Sequence, residues 1–480
     1  MTSAAPKPVA NGVGLIAAAL STAVLAVAAT KLPHGALVPW GTLVLVLAVA
    51  AVARWPQALA PLIVVGFSVQ PYLKFNISTF FGPAKDAVVV LGVVGTAAGV
   101  VLHRKRFSPD RRLVVLLAGF LLVYLVNPGG GHGAGWAFMT RLVVEGLLLF
   151  LVGYGSADGP ASWRWAAGSA VAVGLLETAV GVWQQHVGLK ALVEQYGYAY
   201  GQQVRATSGG QLRSFGTLDD PFNYAAIVLL GLVCAQHVLA RPAMRRLVTA
   251  CLAVGVFVSF DRTAFVLVAL FVLLQLGRRH RASAICLGLA LAVAGVAVLA
   301  TRPPDGRPTV VAVDDPSVPN TFLLSLNGRT TTWFQVVRNP SDLFFGRGTG
   351  AIGAGAARAG QPGVASVQRY QPGVAPPVAR NIGLTSLDSS YVQTLADVGL
   401  AGLLVLLALL ARTVALLRGR SRSSGRVTTA TLWVVLLLLA DGVTRTSLFA
   451  FPFGFMALYM IGCGLAQARQ VAVPAIPEIP

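Results

Sequence analysis

Charged residues are scarce in this sequence. Asp, Glu, Lys and Arg make up only 11% of the 480 residues, whereas 55% are hydrophobic. A soluble protein of this size carries roughly a quarter charged residues, so the composition excludes an ordinary soluble domain. Apolar runs of about 17–25 residues recur along the chain, each long enough to cross a hydrocarbon core of ~30 Å. The sequence therefore predicts an all-α, polytopic transmembrane helical bundle that forms one domain over residues 1–480.

Cysteine is also scarce. The four cysteines all lie within apolar runs, and no two of them have the spacing of metal ligands. We interpret them as core residues and expect no disulfide framework, no metal centre and no cofactor. No run of basic residues is interleaved with aromatic residues, so a nucleic acid is not an expected partner. Membrane lipid is the partner that the apolar runs imply.

Acidic residues are far fewer than basic ones, 17 against 37, which gives a net charge of +20. The apolar runs predict about fourteen spans, within a range of about 12–14. The expected spans are 11–30, 36–53, 58–73, 84–102, 112–127, 138–155, 164–186, 221–240, 244–259, 262–277, 282–300, 389–417, 427–444 and 447–467. Under this count the most basic short loops, at 103–112, 241–246, 278–281 and 418–426, share one side of the membrane. The positive-inside rule makes that side cytoplasmic and places both termini there, in a multi-pass protein of the plasma membrane.

The opposite side receives arginines that the positive-inside rule does not explain. They are Arg205, Arg213, Arg262 and Arg445. One explanation is local pairing, for example of Arg262 with Asp261. Arg445 would pair in the same way with Asp441. The other explanation is that several guanidinium groups converge on a bound anion, and the number of such arginines favours it.

A large extracytoplasmic loop is predicted over residues 301–388. It is rich in Gly, Pro and Ala and contains "QPGVA" twice, at 361–365 and 371–375, which we interpret as a flexible lid or linker. One part of the loop is typical of a short helix that carries Trp333. Arg329 stands at its start, where an anion would meet backbone N–H groups and a guanidinium. An ordinary amphipathic surface helix is the alternative for this stretch.

Several carboxylates lie beside or within the predicted spans on the arginine-containing side. Asp388 precedes a span, where it can cap the helix or accept a proton from a substrate. Asp397 lies deeper, and is either a functional intramembrane charge or part of an interhelical hydrogen bond. Asp219 and Asp220 precede Pro221, a pattern typical of a turn and a helix N-terminus. A catalytic base or a metal ligand is the alternative for this pair.

Four segments, in this order, resemble the O-antigen ligase and O-antigen polymerase superfamily of integral membrane glycosyltransferases. They are "LRSFGTLDDPFNYAA" (212–226), "SFDRTAF" (259–265), "GRTTTWFQVV" with "NPSDLFFGRGTG" (328–350), and "LDSSYVQTLADVGLAGLL" (387–404). The resemblance covers about residues 170–465. Three positions depart from the family's pattern. Asp261 replaces a serine, Phe222 separates a Pro-Asn pair, and Asp388 stands where ligases commonly carry histidine.

The resemblance implies a glycan donor attached to a polyprenyl diphosphate, usually undecaprenyl diphosphate, on the outer face of the membrane. The acceptor is a hydroxyl group of a glycan, lipid or protein. Transfer would be inverting and metal-independent, and it would make or attach a polysaccharide of the cell envelope. The protein is then expected to be a polysaccharide polymerase or a ligase.

The resemblance and the arginine pattern together predict a site for the donor's diphosphate. Arg213 and Arg262 are expected to bind it, because permanently charged arginine forks can neutralise a diphosphate leaving group. Arg205 is a further expected substrate-binding residue. Arg329 would close over the diphosphate from the loop.

The acceptor side of the same site is predicted from five further residues. Asp388 is the expected general base, which removes the proton from the acceptor hydroxyl. Tyr391 would position the acceptor, and Trp333 would stack on a sugar or pack in the fold. Asp219 or Asp220 is the alternative base.

A transporter or flippase of lipid-linked glycans is the alternative function. Transporters place functional charges near the middle of the membrane. Glu145, Glu177 and Asp397 lie within apolar runs here, and Arg141 with Glu145 has the spacing of an i,i+4 pair. The larger group of arginines at the predicted outer edge favours surface chemistry over transport.

Overall fold

The computed structural model describes residues 47–102, 109–157, 160–198, 203–207, 211–276, 333, 336–337, 340–353 and 387–470. Most of these residues are helical, which agrees with the predicted all-α class. Within these ranges, seven helices are long and apolar enough to cross a membrane. The chain is therefore a membrane-embedded helical bundle.

The main helices follow one another along the chain in this order. They are α1 Leu59–Tyr72, α2 Ala84–Leu102, α3 Arg111–Val126, α4 Ala134–Ser156, α5 Pro160–Glu194, α6 Pro221–Val238, α7 Pro242–Val258, α8 Arg262–Leu276, α9 Pro340–Phe345, α10 Ser390–Thr444 and α11 Phe453–Gln470. Between α5 and α6 the strands β1 Arg205–Ala206 and β2 Leu212–Arg213 form a small antiparallel sheet. Proline begins α5, α6 and α7, where its missing N–H leaves no helical hydrogen bond unmade.

Most predicted spans that fall on described residues coincide with these helices to within a few residues. The predicted span 164–186 ends two residues before Gly188, a non-helical residue that breaks α5, and a further helical segment then continues to Glu194. The predicted spans 11–30 and 282–300, and most of 36–53, lie outside the described residues, as do Arg329 and the "QPGVA" repeat. The total number of spans and the sides of the membrane therefore stay predictions.

Helix α10 contains two breaks. Gly399 and Gly425 have positive φ angles of 70° and 71° and are non-helical. The segments on either side of Gly425 run back along each other, since the Tyr391 hydroxyl donates to the Leu439 carbonyl at 2.9 Å. The break at Gly425 thus separates the two spans that the sequence predicted at 389–417 and 427–444.

Close contact between α4 and α11 forms one centre of the bundle. Gly153 of α4 lies against the Tyr459 carbonyl, and Gly462 of α11 lies against the Phe150 carbonyl, with no room for a Cβ atom at either position. Small residues let membrane helices approach until their backbones touch. Van der Waals packing then stabilises the helix pair, because the hydrophobic effect does not drive helices together within lipid.

The bundle has two chemically different ends. We call "sheet end" the end that carries the β1–β2 sheet and the N-termini of α6, α8 and α11. We call "basic end" the opposite end, where α3 and α7 begin and α11 finishes. Exposed arginines crowd the basic end, among them Arg111, Arg112, Arg241 and Arg246. The positive-inside rule predicts that the basic end faces the cytoplasm.

Candidate functional site

Three arginines meet around one aromatic ring at the sheet end. The guanidinium carbons of Arg205, Arg213 and Arg445 lie 5.5, 5.9 and 5.4 Å from the centroid of Phe222. Any two of these guanidinium carbons are therefore no further apart than the sum of their distances to the ring centroid. Each distance suits a cation–π contact. We call these three residues the arginine cluster. It brings together two of the arginines that the sequence singled out as binding residues, Arg205 and Arg213, with Arg445.

The small sheet places Arg205 and Arg213 side by side. The two residues are direct cross-strand partners in the antiparallel pair. Side chains of such partners lie on the same face of a sheet, a few ångströms apart at Cβ. Both residues remain partly exposed. The sheet thus presents two guanidinium groups to one small region, which is the arrangement needed to bind a diphosphate with arginine forks.

A glutamine on α5 holds the strand that carries Arg213. The Gln185 side-chain amide donates to the Leu212 carbonyl at 2.9 Å and to the Ser214 hydroxyl at 2.8 Å. It also lies 3.2 Å from the Val258 carbonyl at the end of α7. The residue on each side of Arg213 is therefore fixed to α5, and the end of α7 is fixed to the same amide.

The adjacent Gln184 and Glu177 hold the segment that follows Arg213. Gln184 Oε1 accepts the N–H groups of Phe215 and Gly216 at 3.0 and 2.9 Å, and its Nε2 donates to the Gly216 carbonyl at 2.8 Å. Glu177 accepts the Thr217 N–H at 2.8 Å and the Thr217 hydroxyl at 2.5 Å. Gly216 has φ 62°, and a side chain there would collide with Glu177. The sequence analysis did not predict a positioning role for these α5 residues. Two consecutive glutamines within an apolar run could have indicated it.

Arg445 is the buried member of the arginine cluster. Its Nη1 donates to the Phe222 carbonyl at 2.9 Å and lies 2.9 Å from Asp441 Oδ1. Its Nη2 forms an ion pair with Asp261. The local pairing of Arg445 with Asp441 is therefore confirmed. Since both carboxylates neutralise it, Arg445 acts as a structural centre more than as a free anion ligand.

The suggested pairing of Asp261 with Arg262 is wrong. Asp261 is buried, caps the start of α8 through the Thr263 N–H at 3.1 Å, and directs its other oxygen to Arg445. Arg262 points outward and is exposed, and within the described ranges it has no ion-pair partner. Asp261 thus pairs with the distant Arg445 and not with its sequence neighbour. Arg262 stays exposed at the surface of the sheet end.

The Asp219–Asp220 pair lies immediately before Pro221, at the start of the helix that carries Phe222. Asp220 caps α6, because its Oδ1 accepts the N–H groups of Phe222 and Asn223 at 2.7 and 2.8 Å. This confirms the helix N-terminus that the sequence suggested. The Asn223 amide donates to Asp219 Oδ1 at 3.1 Å and Asp220 Oδ2 at 3.0 Å. Within the described ranges, no third Asp, Glu, His or Cys joins them as in a metal site.

Asp219 has the chemistry of a proton acceptor. Burial away from water, with a further contribution from the negative charge of Asp220, raises the pKa of Asp219 from 3.8 to about 7. Its side chain is nevertheless partly exposed. A carboxyl group with a pKa near neutrality is suited to general acid–base catalysis, because it can take up a proton and return it to solvent.

Asp388, the expected base, lies at the N-terminus of α10 on the same end. It is partly exposed and has φ 44°, in the left-handed region. The helix cap is Ser389, which accepts the Val392 N–H at 3.5 Å. Ser390 donates its N–H to the Arg445 carbonyl at 2.8 Å. The backbone beside Asp388 is therefore attached to the backbone of the arginine cluster.

The two aromatic residues expected to contact the acceptor each have a hydrogen-bond partner in the protein, and both stay partly exposed. The Trp333 indole N–H donates to the Leu387 carbonyl at 2.6 Å, next to Asp388. The Tyr391 hydroxyl is used between the two halves of α10 by its bond to Leu439. Trp333 thus attaches part of the large loop to the site, and Tyr391 packs within the bundle.

Asp397 holds the break in α10 together. Its carboxylate accepts the Gly350 N–H at 3.0 Å and the Gln393 amide at 2.9 Å. The Arg347 N–H donates to the Ala396 carbonyl at 2.7 Å. These contacts seat the "GRGTG" segment against the break at Gly399. They support the simpler explanation for Asp397, namely a hydrogen bond between segments.

Glu145, another acid within an apolar run, is part of a four-residue charge cluster between α2 and α4. Glu145 contacts Arg141 at 2.7 Å, which confirms the i,i+4 pair, and contacts Lys85 at 2.5 Å. Asp86 pairs with both Lys85 and Arg141. Two bases therefore face two acids, and the cluster is balanced in charge.

No protein-family model and no curated protein sequence matches this chain.

Proposed function

We propose that this protein is a membrane glycosyltransferase. It moves a glycan from a polyprenyl diphosphate, such as undecaprenyl diphosphate, to a hydroxyl acceptor, as a polysaccharide polymerase or ligase. One observation carries the proposal, namely the convergence of Arg205, Arg213 and Arg445 on Phe222 beside the partly exposed Asp219. The four motifs that resemble the ligase and polymerase superfamily add to it, since three of them supply these or adjacent residues.

The leaving diphosphate is the group that the paired arginines fit. When the bond between the anomeric carbon and the phosphate oxygen breaks, the electron pair stays on that oxygen. Arg205 and Arg213 lie side by side to receive the added negative charge, and preorganised donors of this kind contribute most when charge develops. Arg445 keeps Phe222 in place beneath them, because it donates to the carbonyl of that residue.

The attacking hydroxyl must lose a proton as its oxygen bonds to the anomeric carbon. We assign this proton to Asp219, because its raised pKa suits a general base and because it is bonded to Asn223, the residue after Phe222. Asp388 stays the alternative base. Attack from the side opposite the diphosphate inverts the anomeric configuration, and no covalent enzyme intermediate is required.

The lipid part of the donor would enter beside Arg262. Phe257, Phe260 and Phe265 form a chain of ring contacts of 5.9 and 6.1 Å around this residue. Phe257 is 58% exposed. Aromatic residues favour the interface between hydrocarbon and headgroups. An exposed arginine among them can meet the diphosphate while the polyprenyl chain stays in lipid.

Transport of an intact lipid-linked glycan is the competing function. Its sequence support came from three intramembrane acids, Glu145, Glu177 and Asp397. Each of them accepts a hydrogen bond from another segment of the protein. They hold segments together, and this weakens the case for a carrier.

The deciding experiment uses purified protein in proteoliposomes with a polyprenyl-diphosphate glycan and a range of hydroxyl acceptors. Mass spectrometry would measure the released polyprenyl diphosphate and the new glycosidic product. We expect Arg213→Gln to lower turnover by about 10²–10³-fold. Arg246→Gln, an exposed arginine at the basic end, is the matched control and should leave turnover unchanged.

Two results would count against the proposal. One is movement of the intact donor across the bilayer without cleavage. The other is wild-type turnover in Arg213→Gln. The glycans of a deletion strain separate the two enzyme classes, since long chains left on the carrier indicate a ligase and single repeat units indicate a polymerase.

A further inference from the structure

A cavity at the basic end lies far along the bundle from the arginine cluster. Its volume is about 250 Å³, and its polar lining consists of Asp110, Arg111, Tyr154 and Arg469. A water molecule occupies about 30 Å³ in the liquid, so the cavity has room for roughly eight waters or for one small polar group. It is bounded by the start of α3, the end of α4, the middle of α10 and the end of α11.

The charges around this cavity leave an excess of positive charge. Arg412 binds Asp110 with two hydrogen bonds, of 3.1 Å from Nε and 2.6 Å from Nη2. Hydrogen bonding to Arg412 lowers the pKa of Asp110, so the carboxylate stays ionised and its charge is neutralised by that partner. Arg111 and Arg469 remain as two positive charges in the lining.

Arg469 is held in place by its neighbour. Its Nη1 donates to the Tyr154 hydroxyl at 3.2 Å, which fixes the guanidinium between α4 and α11. A tyrosine hydroxyl carries no charge, so this contact orders the guanidinium without neutralising it. Ordered arginines of this kind bind phosphate oxygens with charge-assisted hydrogen bonds.

A smaller part of the lining is apolar. It is formed by Leu113, Leu416 and Leu465. On the neighbouring surface of α3, Val115 is 62% exposed, as expected of a residue that faces lipid. The cavity therefore combines a cationic rim with apolar surface, which suits an amphiphile better than a free ion.

We propose that this cavity binds the phosphate group of an anionic phospholipid. The headgroup occupies the cavity, Arg111 and Arg469 contact the phosphate oxygens, and the acyl chains run along the exposed face of α3. The volume fits a headgroup and excludes the chains. A free phosphate ion shares the headgroup chemistry, and the experiment must separate the two. This site is independent of the proposed transferase activity.

The test measures lipid binding to the purified full-length chain in detergent by native mass spectrometry. Phosphatidylglycerol, phosphatidylcholine and inorganic phosphate serve as the probes. One basic residue near a membrane surface contributes about fivefold to the binding of anionic lipid. We expect wild-type protein to prefer phosphatidylglycerol over phosphatidylcholine, and Arg469→Gln and Arg111→Gln each to reduce that preference by about fivefold.

Two further variants keep the test specific. Arg241→Gln removes an exposed arginine of the basic end outside the cavity and should leave the preference unchanged. Arg469→Lys keeps the charge and should retain most of it. If Arg469→Gln fails to fold, Arg111→Gln decides the question, because Arg111 is exposed. The proposal is overturned if the lipid preference survives the loss of both arginines. It is also overturned if inorganic phosphate at equal concentration displaces the lipid.

Discussion

The two ends of the bundle each contain an arginine paired with aspartate, and the pairs differ in exposure. Arg445 and its partners Asp261 and Asp441 have 9%, 5% and 0% of their side chains exposed. Arg412 and Asp110 have 29% and 24% exposed. Forming a buried ion pair requires both charges to be desolvated, and losing one partner strongly destabilises the fold. An exposed pair contributes little and is screened by salt. We therefore expect the arginine–aspartate ion pairs to be essential for the stability of the sheet end and to contribute little at the basic end.

Loss of Arg445 is the change with the largest expected effect on this contrast. Arg445→Met leaves Asp261 and Asp441 buried without their cation, which we expect to destabilise the protein by about 3–5 kcal/mol. Thermal unfolding of the purified protein in detergent measures this effect. A triple variant that adds Asp261→Asn and Asp441→Asn should recover much of the loss. If Arg445→Met unfolds at the wild-type temperature, the buried pair is not the organising contact.

The protonation of Asp219 is the second test of the sheet end. With a pKa of about 7, Asp219 is mostly protonated below neutral pH, so transferase turnover should rise about tenfold per pH unit up to pH 7 and then level off. Asp219→Asn should lower turnover by about 10²–10³-fold and abolish this inflection. The pH profile of donor consumption, for the wild type and the variant, is the measurement. An unchanged inflection in the variant would transfer the role to another group, with Asp388→Asn as the next variant.

The same shift in the pKa of Asp219 has a consequence for stability. Its pKa of about 7 in the folded protein is above the ordinary value of 3.8, so the folded state binds more protons between these two values. Stability therefore decreases as pH rises from about 4 to about 7. Asp219→Asn should remove this part of the pH dependence, which thermal unfolding at several pH values would detect.

Loss of the glutamine contacts that hold the segment after Arg213 is expected to have the next largest effect. Gln184→Leu leaves the N–H groups of Phe215 and Gly216 without their acceptor, and an unsatisfied buried donor costs about 1–3 kcal/mol. We expect turnover to fall several-fold through the displaced Arg213, while the KM for the donor rises. Gln184→Glu retains an acceptor and is the comparison variant. Equal kinetic defects in the two variants would argue against a positioning role.

The smallest expected effect is at the basic end. Arg412→Gln removes the exposed partner of Asp110, and we expect the unfolding temperature to change by no more than about 1–2 °C. High salt should abolish even this difference, and turnover should remain that of the wild type. A large loss of stability in Arg412→Gln would break the comparison between the two ends.

Local patterns in the sequence were sufficient for the helices and for contacts within one turn. Apolar run lengths located α2 at 84–102 correctly, and the residues before Pro221 indicated the cap of α6. The spacing of Asp441 and Arg445 likewise predicted their ion pair. In each case the deciding interaction lies within one helix or at its end, so neighbouring residues determine it.

Contacts between distant segments were beyond the reach of such patterns. Arg445 meets Asp261 from another helix, and Arg412 meets Asp110 across most of the chain. Arg262 is next to Asp261 in the sequence, but the buried Asp261 pairs with the distant Arg445. Only the packing of the helices determines such pairs, and a single sequence contains no record of which helices adjoin.

Phe222 separates Pro221 from Asn223 in the sequence, and it stands at the centre of the arginine cluster. The face of a benzene ring offers a broad, shallow attraction without the directional demand of a carboxylate. A guanidinium resting on it can slide by a fraction of its own width at little energetic cost. Arg205 and Arg213 are thus kept close together yet adjustable, and in the proposed transfer reaction they could follow the diphosphate oxygens as these move away from the anomeric carbon.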